Sequence, residues 1–276
     1  MDELNSNITF SFGGATSRSP SGELLGVIDA NGPTMPTITL SATLDSGFSV
    51  LALKYEVTVS YTGHGRNDHP SVLAGQGAST ATIHFAELIL GGALTGRADV
   101  HIRRPNGTTY WTGWLPIGKT IPIIGSNPDK TALMEAAANI PPLIIAQLRS
   151  GLLMFDEAGQ PAFNAGFGLF AIPAPEAGDV WNWRSNLARG LTEFTEHQSA
   201  VARYPQQLRE SSSDYKGLTD YNEREAALET YQSYSTGRYW LPVKKGIIFR
   251  KWHWEKDKQG NGFADRCKQL EAQFPG

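Results

Sequence analysis

The chain has 276 residues and a formal net charge of −3. This length is enough for two domains that each bury a core, and the near-neutral charge argues against nucleic acid or an anionic membrane surface as a partner recognised by bulk electrostatics. The only cysteine, Cys267, excludes an internal disulfide and is typical of a protein made in a reducing compartment.

The first residues, MDELNSNITFSF, do not have the pattern of an export signal. Acidic side chains stand where a signal peptide needs basic ones followed by an apolar run. The longest apolar stretches, such as Pro141 to Ala146, are far shorter than the roughly 20 residues of a membrane span. We therefore expect synthesis in the cytoplasm without a signal peptide and no membrane span, so that delivery to the periplasm would need another secretion system.

Residues 5 to about 120 alternate apolar and polar side chains with a period of two, which predicts half-buried antiparallel strands. Turn signals separate these strands, among them Asn31-Gly32-Pro33 and Pro105-Asn106-Gly107. We predict a multidomain α and β protein whose residues 1–125 form an Ig-like antiparallel β-sandwich. The clearest alternating sets are Ile38, Leu40, Ala42 and Leu44, and Tyr55, Val57, Val59 and Tyr61.

The most polar loop of this half runs from Gly63 to Pro70. It contains His64, Asp68 and His69, which are residue types that bind metals. No third ligand lies at a characteristic distance from the two histidines, so a solvated loop is the preferred interpretation. We expect neither a metal nor a cofactor.

The composition changes between about residues 121 and 129, where a last strand leads into helices. Asn127 followed by Pro128 predicts a helix N-cap and first turn, and Pro141 with Pro142 restarts the helix so that its apolar face continues. This junction marks the start of a second, mainly helical domain, predicted over residues 126–276.

Two further helices are predicted in this domain. The first runs from about Val180 to Arg203 and is ended by Tyr204-Pro205, and the second runs from about Asn222 to Tyr234. The chain then ends in a tail in which Lys and Arg alternate with tryptophans. These tryptophans either pack as a lid on the long helix or stack on sugar rings or bases; they are Trp240, Trp252 and Trp254.

A glycine-rich stretch between residues 149 and 183 connects the helices. Within it, Gly166 and Gly168 lie beside Phe163 and Phe167, and glycines at this spacing allow the backbone to approach a groove closely. A tight turn over a core explains the same pattern equally well.

Several segments of the second half, taken in order, resemble lytic transglycosylases and goose-type lysozymes, in particular bacterial and phage proteins in which a β-domain precedes the lysozyme-like domain. FDEAGQPAFNAGFGL is similar to the family's segment that leads into a "GLMQ" turn, and PAPEAGDVWNWRSNLARG is similar to its "NPxPTxxQxWNWKxNVxxG" run. YQSYSTGRYW and GNGFADRCKQL are similar to its closing "YNGG" and "YADRV" pieces. The resemblance covers about residues 121–276 and implies a lysozyme-like fold.

The resemblance also implies a catalytic position. In this family a glutamate in an "ES" dipeptide at a helix end is the general acid that protonates the glycosidic oxygen of peptidoglycan, and it needs a partly apolar cleft that keeps it protonated. Alignment on Phe155 places Arg149, followed by Ser150, at this dipeptide. A guanidinium delivers no proton, and Phe170-Ala171 replaces the end of the "GLMQ" turn and deletes its amide.

The resemblance to the family's segments gives the candidate site residues. Arg149 occupies the degenerate position of the acid, and Glu157 is the best-placed substitute, with Glu135 and Asp156 behind it. A solvated turn is the preferred interpretation of Asp156 to Gly159. The residues expected to line the groove are Ser150, Phe155, Gly168, Leu169, Phe170, Trp181, Trp183 and Tyr239.

Three functions remain open at this point. The preferred one is a lysozyme-like module that has lost glycosidase activity and recognises peptidoglycan glycan strands or a protein partner. The alternative is an active muramidase or lytic transglycosylase, a toxin or phage component, that uses a displaced acid such as Glu157. The third is an interaction protein whose binding face lies on the β-domain.

Overall fold

The computed structural model describes residues 8–14, 17–18, 24–45, 47–68, 72–85, 89–235, 237–245, 251–259 and 262–274. The chain divides into two compact units that are interleaved in sequence. The first unit comprises Met1–Asp129, Leu153–Gly168 and Pro173–Arg184, and the second comprises Lys130–Leu152, Leu169–Ile172 and Ser185–Gly276. The sequence-based division at residue 125 treats both domains as continuous and does not anticipate this interleaving.

The first unit contains twelve strands within the described residues, and they form two sheets. The smaller sheet has the order β1-β4-β8, and the larger has the order β2-β3-β12-β9-β5-β6, with β10 and β11 on β9 and β7 on β5. The strands are β1 Ile8–Gly14, β2 Ser17–Arg18, β3 Leu24–Ile28, β4 Ile38–Leu44, β5 Ser49–Gly63, β6 Arg66–Asp68, β7 Leu73–Gly77, β8 Thr80–Ile83, β9 Gly92–Arg103, β10 Thr109–Trp111, β11 Leu115–Pro116 and β12 Ile121–Gly125.

The predicted antiparallel pairing is confirmed for most of these strands. The longest ladder joins β5 to β9, and the one parallel pair among the described strands joins β12 to β3. The predicted alternation is also confirmed, because every second residue of β5 from Leu53 to Tyr61 is buried. The buried residues of β5 are Leu53, Tyr55, Val57, Val59 and Tyr61.

The second unit is mainly helical and ends with a two-stranded antiparallel hairpin and a last helix. A helix of the first unit, α3, lies at Ala177–Trp181, and helix α4 enters the second unit at Ser185. The remaining elements are α1 Lys130–Ala137, α2 Ile140–Ser150, α4 Trp183–Ser211, a 3₁₀ turn at Ser213–Tyr215, α5 Glu223–Gln232, β13 Trp240–Lys245, β14 Lys251–Lys256 and α6 Phe263–Glu271.

The helix boundaries confirm some of the sequence signals and correct others. Helix α5 begins after Asn222, whose side chain caps the helix in a capping box with Glu225. Asn127 was predicted to be an N-cap but is not one, because α1 begins only at Lys130. The side-chain oxygen of Asn127 instead accepts hydrogen bonds from the backbone N–H groups of Met154 and Phe155.

The predicted end of the long helix is also wrong. Helix α4 continues to Ser211 with Pro205 inside it. Proline at this position removes the hydrogen bond to the carbonyl four residues earlier, but Pro205 is buried, and burial of its ring offsets part of that loss.

Candidate functional site

Helix α2 ends at Arg149, the position that the resemblance gives to the general acid, and at Ser150, which follows it. Pro141 and Pro142 occupy its first turn, where a missing N–H leaves no helical hydrogen bond unmade. Gly151 caps its C-terminus with a φ of 67°, a left-handed conformation that favours glycine. The last turn of α2 therefore holds Arg149 and Ser150 at a well-defined helix end.

Both of these side chains hold the backbone of a buried turn over residues 169–172. The hydroxyl of Ser150 donates to the carbonyl of Leu169 at 2.5 Å, and Nη2 of Arg149 donates to the carbonyl of Ala171 at 3.1 Å. Ala171 has a φ of 48°, which is uncommon for a residue with a side chain. The hydrogen bonds from the end of α2 thus stabilise an unfavourable backbone conformation.

The same turn packs on α4. The backbone N–H of Phe170 donates to Oδ1 of Asn186 at 3.2 Å, and Asn186 is completely buried. A Cβ added at Gly190 would lie 2.2 Å from the ring of Phe170, so this glycine provides the space that the ring occupies. Ser150, Leu169 and Phe170, predicted to line one groove, therefore meet within the second unit.

Arg149 is half-buried among polar and aromatic side chains. Burial lowers the pKa of its guanidinium from the ordinary value, and the carboxylate of Glu193 opposes this change. The guanidinium lies 5.9 Å from the centroid of the Tyr234 ring. A guanidinium remains protonated in proteins, so this position supplies a fixed positive charge and no transferable proton.

Tyr234 lies between Arg149 and a hydrogen-bonded pair formed by His197 and Ser233. Its ring lies 4.2 Å from that of His197, and burial raises the pKa of its hydroxyl above the ordinary value. That hydroxyl is buried and has no hydrogen-bond partner among the described residues. Oγ of Ser233 lies 2.7 Å from Nδ1 of His197 and donates to the carbonyl of Thr230. Ser233 and His197 therefore form a hydrogen-bonded pair.

A cavity of about 370 Å³ lies beside this pair, within the second unit. Its volume is within the range of small-ligand sites. His197 and Ser233 line it together with Arg203 and Gln207, which are exposed and one turn apart on α4. Polar side chains at the mouth and a hydrogen-bonded pair on the wall are suited to a ligand that is rich in hydroxyl or amide groups.

The environment of His197 leads to a pH-dependent stability. Burial lowers the pKa of its imidazole, with Glu193 opposing the shift and Arg149 adding to it. The unfolded chain therefore binds more protons than the folded chain between about pH 6.5 and the lower pKa of folded His197. The contribution of neutral His197 to the free energy of unfolding is fully present above about pH 6.5 and is lost as the pH falls through the folded-state pKa. We expect a decline of less than about 1 kcal/mol, because the imidazole is partly exposed to solvent.

This decline can be measured by chemical denaturation at pH 5 and pH 7.5. His197→Gln should reduce the difference in free energy of unfolding between the two pH values, because glutamine does not titrate. The matched control is His253→Gln, at an exposed position of β14 in the same unit. A pH dependence that is identical in wild type and His197→Gln would contradict this assignment.

Four of the predicted groove residues belong to the first unit, and three of them are buried aromatics. Trp181 lies against Phe155, with ring centroids 5.7 Å apart, and against the edge of Tyr61 at 5.3 Å. Nε1 of Trp183 donates to the carbonyl of Ala30 at 2.8 Å. These three aromatic side chains are packing residues of the first unit.

The fourth of these groove residues is Gly168, which is buried and has a φ of 69°.

The acidic candidates for a displaced catalytic acid lie on a turn or on a helix surface. Glu157 is exposed in a turn that Asp156 closes, because Oδ1 of Asp156 accepts from the backbone N–H groups of Ala158 and Gln160. This is the geometry expected of a solvated turn. Glu135 is exposed on α1.

The last predicted groove residue, Tyr239, belongs to the second unit. Its hydroxyl donates to Oδ1 of Asp265 at 2.7 Å, and its backbone N–H donates to Oε2 of Glu229 at 2.9 Å. Tyr239 is therefore tied to α5 and α6 by hydrogen bonds at both its backbone and its side chain.

Four further residues surround Arg149 and the cavity and were not predicted from the sequence. Glu193 and His197 are four residues apart on a helix that was predicted, so their common face was available as a signal. Ser233 and Tyr234 had no comparable signal, because only the return of α5 brings them close to α4.

The structure offers no support for metal binding in the residues that it describes. Among them, no group of three or more His, Cys, Asp or Glu side chains is arranged to hold a metal ion. His64, from the polar loop, stacks on Phe163 with ring centroids 4.5 Å apart, whereas His69 lies outside the described residues. No helix in the described part of the chain has the length and apolarity of a membrane span.

No known protein family, curated protein or solved structure matches this chain. The lysozyme-like relationship therefore remains a prediction that depends on the sequence motifs. The function must be inferred from the two compact units themselves.

Proposed function

We propose that the second unit is a lysozyme-like module that binds the glycan strands of peptidoglycan without cleaving them. We further propose that the two sheets of the first unit form an Ig-like β-sandwich that docks this module on a larger assembly. Synthesis in the cytoplasm and delivery by another secretion system belong to the same proposal. The resemblance of residues 121–276 to lytic transglycosylases and goose-type lysozymes supports the lysozyme-like part of this proposal.

The observation that carries the proposal is the environment of Arg149. The resemblance places a general acid at this position, but the guanidinium is hydrogen-bonded to the turn over residues 169–172. It stabilises that turn and carries no acidic proton. Ala171 also lacks the side-chain amide that the family's turn offers to substrate. The groups that the resemblance implies for glycosidic cleavage are thus replaced at both positions, which supports binding without cleavage.

The alternative is cleavage by a displaced acid, and Glu157 is its best candidate. A glycosidase acid must be held in a partly desolvated site close to the bond that breaks. Glu157 is exposed on a turn, and Asp156 uses a carboxylate oxygen to close that turn. These features support binding without cleavage over an active muramidase or lytic transglycosylase.

The cavity beside His197 and Ser233 provides the proposed binding groove. Arg203 and Gln207 can donate hydrogen bonds to the hydroxyl, amide or carboxylate groups of a peptidoglycan strand. In Arg203, Nε donates to the carbonyl of Ser199, which fixes the guanidinium on the helix surface. We therefore assign strand recognition to this face of α4.

Co-sedimentation with purified, insoluble peptidoglycan tests the assignment. Wild-type protein should sediment with the polymer, and the double variant Arg203→Ala/Gln207→Ala should bind about thirtyfold more weakly, because each of the two side chains contributes about 1 kcal/mol through hydrogen bonds. Arg189→Ala and Gln206→Ala are matched controls at exposed positions of the same helix outside the cavity. Equal binding by the double variant and wild type would contradict the assignment, as would the absence of wild-type binding.

A further inference from the structure

Exposed tryptophans lie on the outer face of the larger sheet in the first unit. Trp111 and Trp114 are 40% and 41% exposed, which is unusual for the largest apolar side chain. Arg97, Asp99 and His101 of β9 alternate with buried residues and so point to the same outer face. Trp111 is paired with His101 in the sheet, and Trp114 contacts Arg97, so both indoles belong to this face.

A groove of about 520 Å³ is formed on this face around Trp114. Its floor includes Thr58 of β5 and Thr95 of β9, which are direct partners in the sheet register. Val72 and Trp114 are its most apolar lining residues. The groove thus combines an aromatic wall with a hydroxyl-bearing floor.

The charges that line the groove neutralise each other. Glu56 and Arg97 are register partners, and Oε2 of Glu56 accepts from Nε of Arg97 at 2.7 Å and from Nη2 at 2.6 Å. Outside the groove, Lys54 lies opposite Asp99 in the same ladder. A groove with this balance favours an uncharged ligand, because a net charge on the ligand would have no counter-charge there.

Neighbouring cationic and aromatic side chains hold each indole in place. The guanidinium of Arg97 lies 5.0 Å from the ring centroid of Trp114. The ring of Trp111 stacks on His101 at 4.8 Å with an interplanar angle of 13°, and the ammonium of Lys54 lies 4.3 Å from it. Fixed aromatic surfaces of this kind bind a ligand at little entropic cost.

The two indoles follow the direction of β9. Arg97 and His101, their contact residues, are four positions apart, which corresponds to about 13 Å at about 3.3 Å per residue. Charged and polar side chains lie between them. A protein partner of ordinary size buries about 800 Å² on each side around an apolar centre, whereas this face offers separate aromatic surfaces with polar groups between them.

We propose that this face binds a chain of uncharged sugars. A pyranose ring has an apolar face of C–H groups, which suits an indole, and a rim of hydroxyls, which suits the Glu56–Arg97 pair and the two threonines. Two separate rings of the same glycan can then contact Trp114 and Trp111. The proposal concerns the first unit and does not depend on the function proposed for the second.

Isothermal titration of the full-length protein with cellohexaose and chitohexaose, both uncharged, tests this proposal, with anionic hexagalacturonate as a third probe. We expect binding of at least one uncharged hexasaccharide. Its affinity should be at least about tenfold lower in Trp114→Ala and in Trp111→Ala than in the wild type. Leu153→Ala, at an exposed apolar position of the same unit, is the matched control and should bind as wild type does.

Three results would overturn the proposal. They are the absence of binding to both uncharged probes, wild-type affinity in both tryptophan variants, and tighter binding of hexagalacturonate than of either uncharged probe. The tryptophan variants should still co-sediment with peptidoglycan through the second unit, and the loss of hexasaccharide binding in them should be seen in the titration with cellohexaose, which lacks the acetamido groups of peptidoglycan. Failure of one proposal can thus be distinguished from failure of the other.

Discussion

Replacement of Trp181 by alanine is expected to lower the free energy of unfolding by about 3–5 kcal/mol, the range for large aromatic side chains removed from a core. Trp181 is completely buried and contacts the rings of Tyr61 and Phe155. A Cβ added at Gly91 would lie 2.0 Å from its indole, so the backbone itself is shaped to accommodate the ring. Alanine would leave a cavity that these neighbours can fill only in part.

Chemical denaturation followed by circular dichroism measures this loss. Trp181→Phe should retain much of the stability, because Nε1 of Trp181 has no hydrogen-bond partner among the described residues and phenylalanine removes that buried N–H. Trp114→Ala is the matched control, since an exposed tryptophan should contribute less than about 1 kcal/mol. A loss below about 1 kcal/mol in Trp181→Ala would show that this packing has been misassigned.

Glu229→Ala should have an effect of similar size in the second unit, about 2–6 kcal/mol, from about 1–3 kcal/mol for each of two backbone donors left without their acceptor. Glu229 is 1% exposed, and its Oε2 accepts hydrogen bonds from the backbone N–H groups of Tyr239 and Trp240. Its Oε1 accepts from Nη1 of Arg238 at 3.1 Å. Alanine would leave two backbone donors and one guanidinium without this acceptor, and unsatisfied donors are costly when buried.

The same denaturation measurement applies, with Glu229→Gln as a graded variant. Glutamine keeps one oxygen for the two backbone donors, but places an amide group near Arg238, so an intermediate loss of about 1–3 kcal/mol is expected. Glu210→Ala, at an exposed position of α4, should change stability by less than about 0.5 kcal/mol. The assignment is wrong if Glu229→Ala is as stable as Glu210→Ala.

Short-range patterns in the sequence were sufficient to predict much of the fold. The alternation along β5 predicted which residues are buried, because one face of a half-buried strand packs on the core and the other faces water. The helical pattern from about Asn222 predicted the start of α5 for a similarly local reason. Both predictions needed only a few neighbouring residues.

Features that depend on distant parts of the chain were not predictable in this way. Asn127 caps no helix because Met154 and Phe155, more than twenty residues later, bind its side chain. Glu229 resembles any surface glutamate in the sequence, and only the return of the chain at Tyr239 gives it its buried partners. Arg149 was selected through the resemblance, but its partner Ala171 became evident only from the structure.

The release of soluble muropeptides from purified peptidoglycan over time tests the central claim most directly. We expect no release by wild-type protein or by Glu157→Gln, since Arg149 has no proton to donate and Glu157 is an exposed turn residue. Time-dependent release by wild-type protein would contradict the proposed loss of cleavage. Its disappearance in Glu157→Gln would identify the displaced acid.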